Sequence, residues 1–228
     1  MSQGFFITFE GLDGSGKSTQ LACLEAWLQK KGFAVTVTRQ PGGTHIGDAI
    51  RAVLLDSRTA GLSPLAELGL MFSDRAQSIA EVIRPALDRG DVVLCDRFTD
   101  STEAYQGGGR ELGSAVVLDL HARLCGGVQP ELTLLLLPNH RMALERARER
   151  NARAAGAAGG DENRFEKETA AFYGRVLGKY REIAAREPGR IVSIEGEGSI
   201  QEIRQQIAAV VEGRLRNAQV EPSRSRSN

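Results

Sequence analysis

Short apolar runs bounded by turn residues recur along the chain at Phe5–Phe9, Ala34–Thr38, Val92–Cys95, Leu132–Leu137 and Ile191–Ile194. Runs of this length without polar alternation suit strands covered on both faces. Between them the apolar positions switch to helical spacing. Ser18–Lys31 carries Leu21, Leu24 and Leu28 on one side, and the same period marks Ile46–Leu55, Leu65–Asp88, Ser114–Leu124, Arg141–Arg153, Arg164–Arg186 and Ile200–Arg214. Strands alternating with helices predict an α/β fold, a doubly wound and mostly parallel sheet with helices on both faces. Ligands of such sheets gather beyond the carboxyl ends of the strands. Residues that do chemistry should therefore follow a strand directly, or face that edge from a helix.

Two stretches break the pattern. AAGAAGG, residues 154–160, lies between the charged stretches RARERNAR and DENRFE and reads as a mobile loop or lid. The closing EPSRSRSN has no apolar partner and is expected to be disordered. The 228 residues then fit one domain over 1–217, with a tail over 218–228. Lys plus Arg and Asp plus Glu both number 29, so net charge argues against a non-specific nucleic-acid binder, and any basic site must be local. Cys23, Cys95 and Cys125 are widely spaced and suit reduced thiols. No run approaches the length of a membrane span. A soluble, cytoplasmic protein without membrane or nucleic-acid partners is expected.

The first apolar run leads into GLDGSGKST: Gly11, Leu12, Asp13, Gly14, Ser15, Gly16, Lys17, Ser18 and Thr19. Gly11, Gly16, Lys17 and Ser18 occupy the fixed places of G-x-x-x-x-G-K-[ST], with a predicted strand before and a predicted helix after, as a P-loop requires. Glycines let successive backbone N–H groups close on phosphate oxygens, and the helix N-terminus adds favourable partial charge. Lys17 would reach the β and γ phosphates, and the Ser18 hydroxyl would serve Mg²⁺. Glu10, just before the loop, reads as support for it.

After the second run comes TRQPGGTHIGDAIR, where Arg39 at the strand end and Arg51 on the next helix flank a Pro-Gly-Gly turn. They are either a clamp for a phosphate or two surface arginines. The third run ends in CDRFTDSTEAYQGGGR. Asp96 there suits a metal or its water shell, or simply caps the turn; Arg97 can bridge two phosphates. Tyr105 and Gln106 offer a ring and an amide to a base and sugar, with a core role for Tyr105 as the plain alternative. The three histidines are scattered and show no zinc spacing.

FEGLDGSGKST, TRQPGGT, Arg75 in LMFSDRAQ, DRFTDST and AYQGGGR, in this order, resemble bacterial thymidylate kinase from about Phe5 to Arg214. The resemblance implies five parallel strands in the order 2-3-1-4-5, a lid over roughly residues 146–164, ATP with Mg²⁺ as donor, dTMP as acceptor, and a homodimer. It assigns Asp13 to the 3′-hydroxyl of the acceptor, and Arg39, Arg51 and Arg97 to its phosphate. Arg75 and Gln106 fall to the pyrimidine edge, Ser101 and Tyr105 to the sugar and base pocket. Arg148, Arg150 and Arg153 become the lid arginines, because Gly14 stands where another branch of the family has its arginine. Several positions depart from the pattern: Gln40 replaces an acid, Leu137 an aspartate and Asn163 an acid, and Met71 holds the place of an aromatic that stacks on thymine, with Phe72 beside it as the other candidate.

An acceptor monophosphate is already nucleophilic, so transfer needs cations around the transition state rather than a general base. A GTPase switch would show N-K-x-D and D-x-x-G, which are lacking here. A deoxynucleoside kinase would need a carboxylate base and fewer acceptor-side arginines. A nucleotide sensor without turnover is the reading from another class, kept open by Gln40, Leu137 and Met71.

Overall fold

The computed structural model describes residues 4–59, 61–137, 164–165, 168–195, 198–220 and 222. Five parallel strands, β1 (Phe5–Glu10), β2 (Val35–Arg39), β3 (Val92–Asp96), β4 (Leu132–Leu137) and β5 (Ile191–Glu195), lie in the order β2-β3-β1-β4-β5. This is the order the resemblance implied. Each strand falls where an apolar run stands, shifted by at most one residue at an end.

Side chains of alternate strand residues point to opposite faces, so the two helix layers draw on different residues of one strand. Phe5, Ile7 and Phe9 of β1 join Leu21, Leu24 and Leu28 of α1 (Lys17–Lys30) and Ile203, Ile207, Val211 and Leu215 of α8 (Ile200–Asn217). Phe6, Val93 and Cys95 face the other way. They pack on Leu68 and Phe72 of α3 (Pro64–Ser78), on Phe98 and on Val117 of α6 (Ser114–Leu124). Cys95 is thus a core thiol. Trp27 is half-buried against the α1–α8 layer. A capping box of Ser199 and Glu202 starts α8, and Thr44 caps α2 (His45–Leu55).

Two predicted helices differ from expectation, and one further segment is helical that was not among those predicted. The long run Leu65–Asp88 is α3, a wide π-type turn over Ile79–Ile83 and α4 (Arg84–Arg89), with Pro85 in the first turn of α4. α7 spans Ala170–Arg186 and begins after Arg164, because the Thr169 side chain accepts the Phe172 N–H and sets the start there. The segment after β3, which the apolar pattern assigned to no element, is helical: α5 (Thr99–Thr102) runs into a π-type stretch, Glu103–Gly109. The predicted helix Arg141–Arg153, nearly all of the lid and most of the tail lie outside the described residues. Among the described residues, no helix is long and apolar enough to cross a membrane.

Candidate active site

The carboxyl ends of β2, β3 and β1 meet in register, with Arg39 and Phe9 both opposite Asp96. This brings the P-loop, the Pro-Gly-Gly turn and the DRFTDST segment to one edge. At Gly11 the chain leaves β1 with φ 130°, and a Cβ there would lie 2.2 Å from the Leu136 carbonyl oxygen, so no larger residue fits. The loop folds back through Ser15 N–H on Leu12 O at 3.2 Å. Gly16 precedes α1, and no side chain caps the helix. Its first-turn N–H groups therefore remain for phosphate oxygens.

Lys17 is buried, and its ammonium donates to Leu12 O at 2.8 Å and to Gly11 O at 3.2 Å. Burial, with the charge of Arg97 second, pushes its pKa down to about 8. The Ser18 hydroxyl donates to Asp96 Oδ2 at 3.0 Å. Asp96 Oδ1 is buried and has no hydrogen-bond partner among the described residues. No group of three His, Cys, Asp or Glu side chains suited to a metal occurs among the described residues. One hydroxyl and one carboxylate with a spare oxygen fit Mg²⁺, which takes one or two protein ligands and fills its octahedron with phosphate oxygens and water.

Arg97 occupies the centre of the edge. Its backbone sits in the left-handed region, φ 71°, a conformation costing of order 1–3 kcal/mol for such a residue and found where a side chain must be aimed. The guanidinium donates to Asp13 Oδ1 at 2.8 Å, to Ser101 Oγ at 3.0 Å and, more loosely, to the Tyr105 and Tyr180 hydroxyls at 3.4 Å. It also lies over the Tyr105 ring, 5.1 Å from the centroid. Glu10 braces this arrangement from below. Its carboxylate accepts Phe98 N–H at 2.7 Å, Tyr180 OH at 3.1 Å and the Ser101 hydroxyl. Burial, and then the charge of Asp100, raises the Glu10 pKa to about 7. Ser101, expected to line the sugar pocket, is engaged with Glu10, Tyr180 and Arg97. Tyr105 is buried with its ring edge-to-face against Phe165, Phe172 and Tyr180. The same side chain thus packs in the core and touches Arg97.

Arg39 and Arg51 both reach the Pro41–Gly43 turn, whose Gln40–Pro41 peptide is cis. Arg51 Nη1 donates to Pro41 O at 3.0 Å, and Arg39, about half exposed, donates to Asp48 at 3.1 Å. Arg75 is buried between the rings of Phe72 and Phe98, its guanidinium carbon 5.0 and 5.2 Å from their centroids. It donates to Gln40 Oε1 at 2.8 Å, Thr102 Oγ1 at 2.8 Å and Phe98 O at 3.1 Å. Gln40, the replacement for an acid, is thus a neutral partner of a buried arginine. Phe72 packs with Phe6 and Val93, whereas Met71 clusters with Leu12, Leu54 and Tyr105 beside the P-loop. Of the two, Met71 is the one that packs beside a P-loop residue, Leu12. Arg148, Arg150 and Arg153 lie outside the described residues.

Sequence reasoning did not single out Tyr180, Glu67 or Arg110. Tyr180 comes from α7, far along the chain. Glu67 is fully buried on α3 and binds Gln106, Arg110 and Arg164. The available signal was the spacing of Glu67, Met71 and Arg75, which puts two charged residues on the buried stripe of a helix.

The family model described as thymidylate kinase matches residues 9–207. The chain is 45% identical over 215 residues to a thymidylate kinase of Pelobacter propionicus, covering 94% of this chain and 97% of that protein. It is 50% identical over 206 residues to one of Solidesulfovibrio magneticus, covering 90% and 98%. Among solved structures, a thymidylate kinase from Ehrlichia chaffeensis superposes with a TM-score of 0.71 at 29% identity, covering 92% of this chain and 99% of that one.

Proposed function

Because the chain belongs to the thymidylate kinase family, we propose that the edge centred on Arg97 is where ATP and dTMP meet. The enzyme transfers the γ-phosphoryl group of ATP to dTMP, giving dTDP and ADP, a step of nucleotide biosynthesis. The observation that carries the site assignment is Arg97 itself, aimed by a left-handed backbone and tied to the P-loop through Asp13.

The P-loop amides and Lys17 hold the ATP phosphates. Lys17 exchanges the carbonyl oxygens of its own loop for phosphate oxygens, which favour its charged form. Ser18 and Asp96 would hold Mg²⁺, which would neutralise phosphate charge when bound. On the acceptor side Arg39, Arg51 and Arg97 hold the monophosphate, Asp13 the 3′-hydroxyl, and Tyr105 the sugar. Arg75 and Gln106 contact the edge of the base, with Met71 against its face. The acceptor phosphate carries about −1.5 to −2 charge at neutral pH and attacks without a base. The residues therefore act by aligning two anions and stabilising the charge of the transition state. Arg148, Arg150 and Arg153 are the candidates to complete that charge from the lid.

The functional unit is a cytoplasmic homodimer. Ile46 and Val53 of α2 and Leu65 of the neighbouring α3 are exposed apolar residues that a second copy would cover. Sedimentation of the purified protein tests this. The activity is tested by a coupled assay with ATP and a panel of nucleoside monophosphates. Turnover of dTMP above all others is expected; nucleotide binding with no transfer to any monophosphate refutes it.

A further inference from the structure

α3 carries Glu67, Met71 and Arg75 four residues apart, a spacing that aligns them on one face. Its two charged members grip the segment from Thr102 to Arg110 at separate points. Arg75 Nη2 donates to Thr102 Oγ1 at 2.8 Å, and Gln106 Nε2 donates to Glu67 Oε1 at 2.8 Å. Glu67 is fully buried and also receives the guanidiniums of Arg110, at 3.1 Å, and of Arg164.

A carboxylate held between two guanidiniums only accepts hydrogen bonds. It can bind the amino end of the Gln106 carboxamide and cannot bind its oxygen. One of the two amide orientations is thereby selected, with Oε1 turned away from Glu67. Gln106 Oε1 is buried and has no hydrogen-bond partner among the described residues, and the same holds for Arg75 Nη1. A spare acceptor and a spare donor thus remain on the two residues assigned to the base. Their pattern complements a 4-oxopyrimidine, whose ring N3–H donates and whose O4 accepts. A 4-aminopyrimidine offers the reverse, an accepting N3 and a donating amino group.

We infer that Glu67 is a positioning residue for base selection: by holding the amino end of Gln106, it presents the amide oxygen to the acceptor base and excludes 4-aminopyrimidine nucleotides. This rests on the placement of the base beside Arg75 and Gln106 proposed above. A merely structural Glu67 would support the fold and both classes of acceptor alike.

The test measures kcat/KM of the full-length enzyme for dTMP, dUMP and dCMP, in wild type, Glu67→Gln and Gln106→Met. A glutamine at 67 donates as well as accepts, so Gln106 can face either way. The preference for dTMP over dCMP should fall at least about tenfold, since leaving a polar group mispaired is what enforces such discrimination. The dTMP to dUMP ratio and the KM for ATP should hold, because the two 4-oxo bases share the edge that the amide reads. Parallel losses with dTMP and dCMP, leaving their ratio unchanged, overturn the inference. Gln106→Met separates the two levels. A preference that survives Gln106→Met refutes the placement of the base, and with it the inference. A preference lost in Gln106→Met and kept in Glu67→Gln overturns the role of Glu67 alone. Should the single variant fail to fold because Arg164 is left buried without its carboxylate, Glu67→Gln with Arg164→Gln removes both charges and is read by the same ratio.

Discussion

Replacing Lys17 with methionine separates what this side chain does for the reaction from what it costs the fold. Lys17 is 5% exposed, and burial lowers its pKa from 10.5 to about 8. At ~1.36 kcal/mol per pH unit, holding the ammonium in the fold at neutral pH costs about 3 kcal/mol. Methionine keeps most of the length and carries no charge. It forfeits the bonds to Leu12 O and Gly11 O, worth about 1 kcal/mol or less each. Lys17→Met should therefore be more stable than wild type by about 1–2 kcal/mol, a rise of a few degrees in Tm for a chain of this size. Phosphorylation of dTMP should fall by about 10²-fold or more, because the cation facing the phosphates is gone. The pH dependence identifies the cause. From about pH 8 to about pH 10.5 the native ammonium loses its proton while the unfolded one keeps it, so wild-type stability rises with pH and the advantage of the variant shrinks. Urea unfolding followed by the fluorescence of Trp27, the single tryptophan, measures both. A variant less stable than wild type, by a margin constant across that window, would refute the reasoning.

Three further outcomes are expected. Arg97→Ala should raise KM for dTMP and lower kcat, together by about 10²-fold or more in kcat/KM, with KM for ATP little changed; steady-state kinetics equal to wild type would leave Arg97 a structural role. Glu10 has a folded pKa of about 7 against an ordinary 4.5, so its contribution to stability is present below about pH 4.5 and lost as pH rises through about 7. Glu10→Gln should flatten that slope in urea midpoints, and an unchanged slope would assign it to other groups. Gly109→Ala would put a Cβ 2.5 Å from Phe172 Cε2 and 2.9 Å from Val176 Cγ2. A loss of about 1–3 kcal/mol is expected from overpacking, and thermal melting that shows none would mean α7 yields freely there.

What the chain determined on its own is the sheet and the P-loop at its edge. Apolar runs such as Leu132–Leu137 announce fully covered strands because hydrophobic periodicity is local, and the P-loop is legible because Gly11, Gly16, Lys17 and Ser18 stand at fixed spacing between a strand and a helix. Tertiary structure decided the rest. No helical period marks AYQGGGR, and its glycines disfavour helix, yet Glu103–Gly109 is helical; Gly108 and Gly109 are required because α7 crosses so close that their Cβ atoms would meet Lys179 and Phe172. Met71 and Phe72 are adjacent and both apolar, and only the turn of α3 sends one toward Leu12 and Tyr105 and the other toward Phe6 and Val93. Glu67 and Tyr180 act on Gln106 and Arg97 across 39 and 83 residues of chain. Burial of a carboxylate and a phenol depends on partners that arrive only when distant segments pack, so no local pattern carries that information.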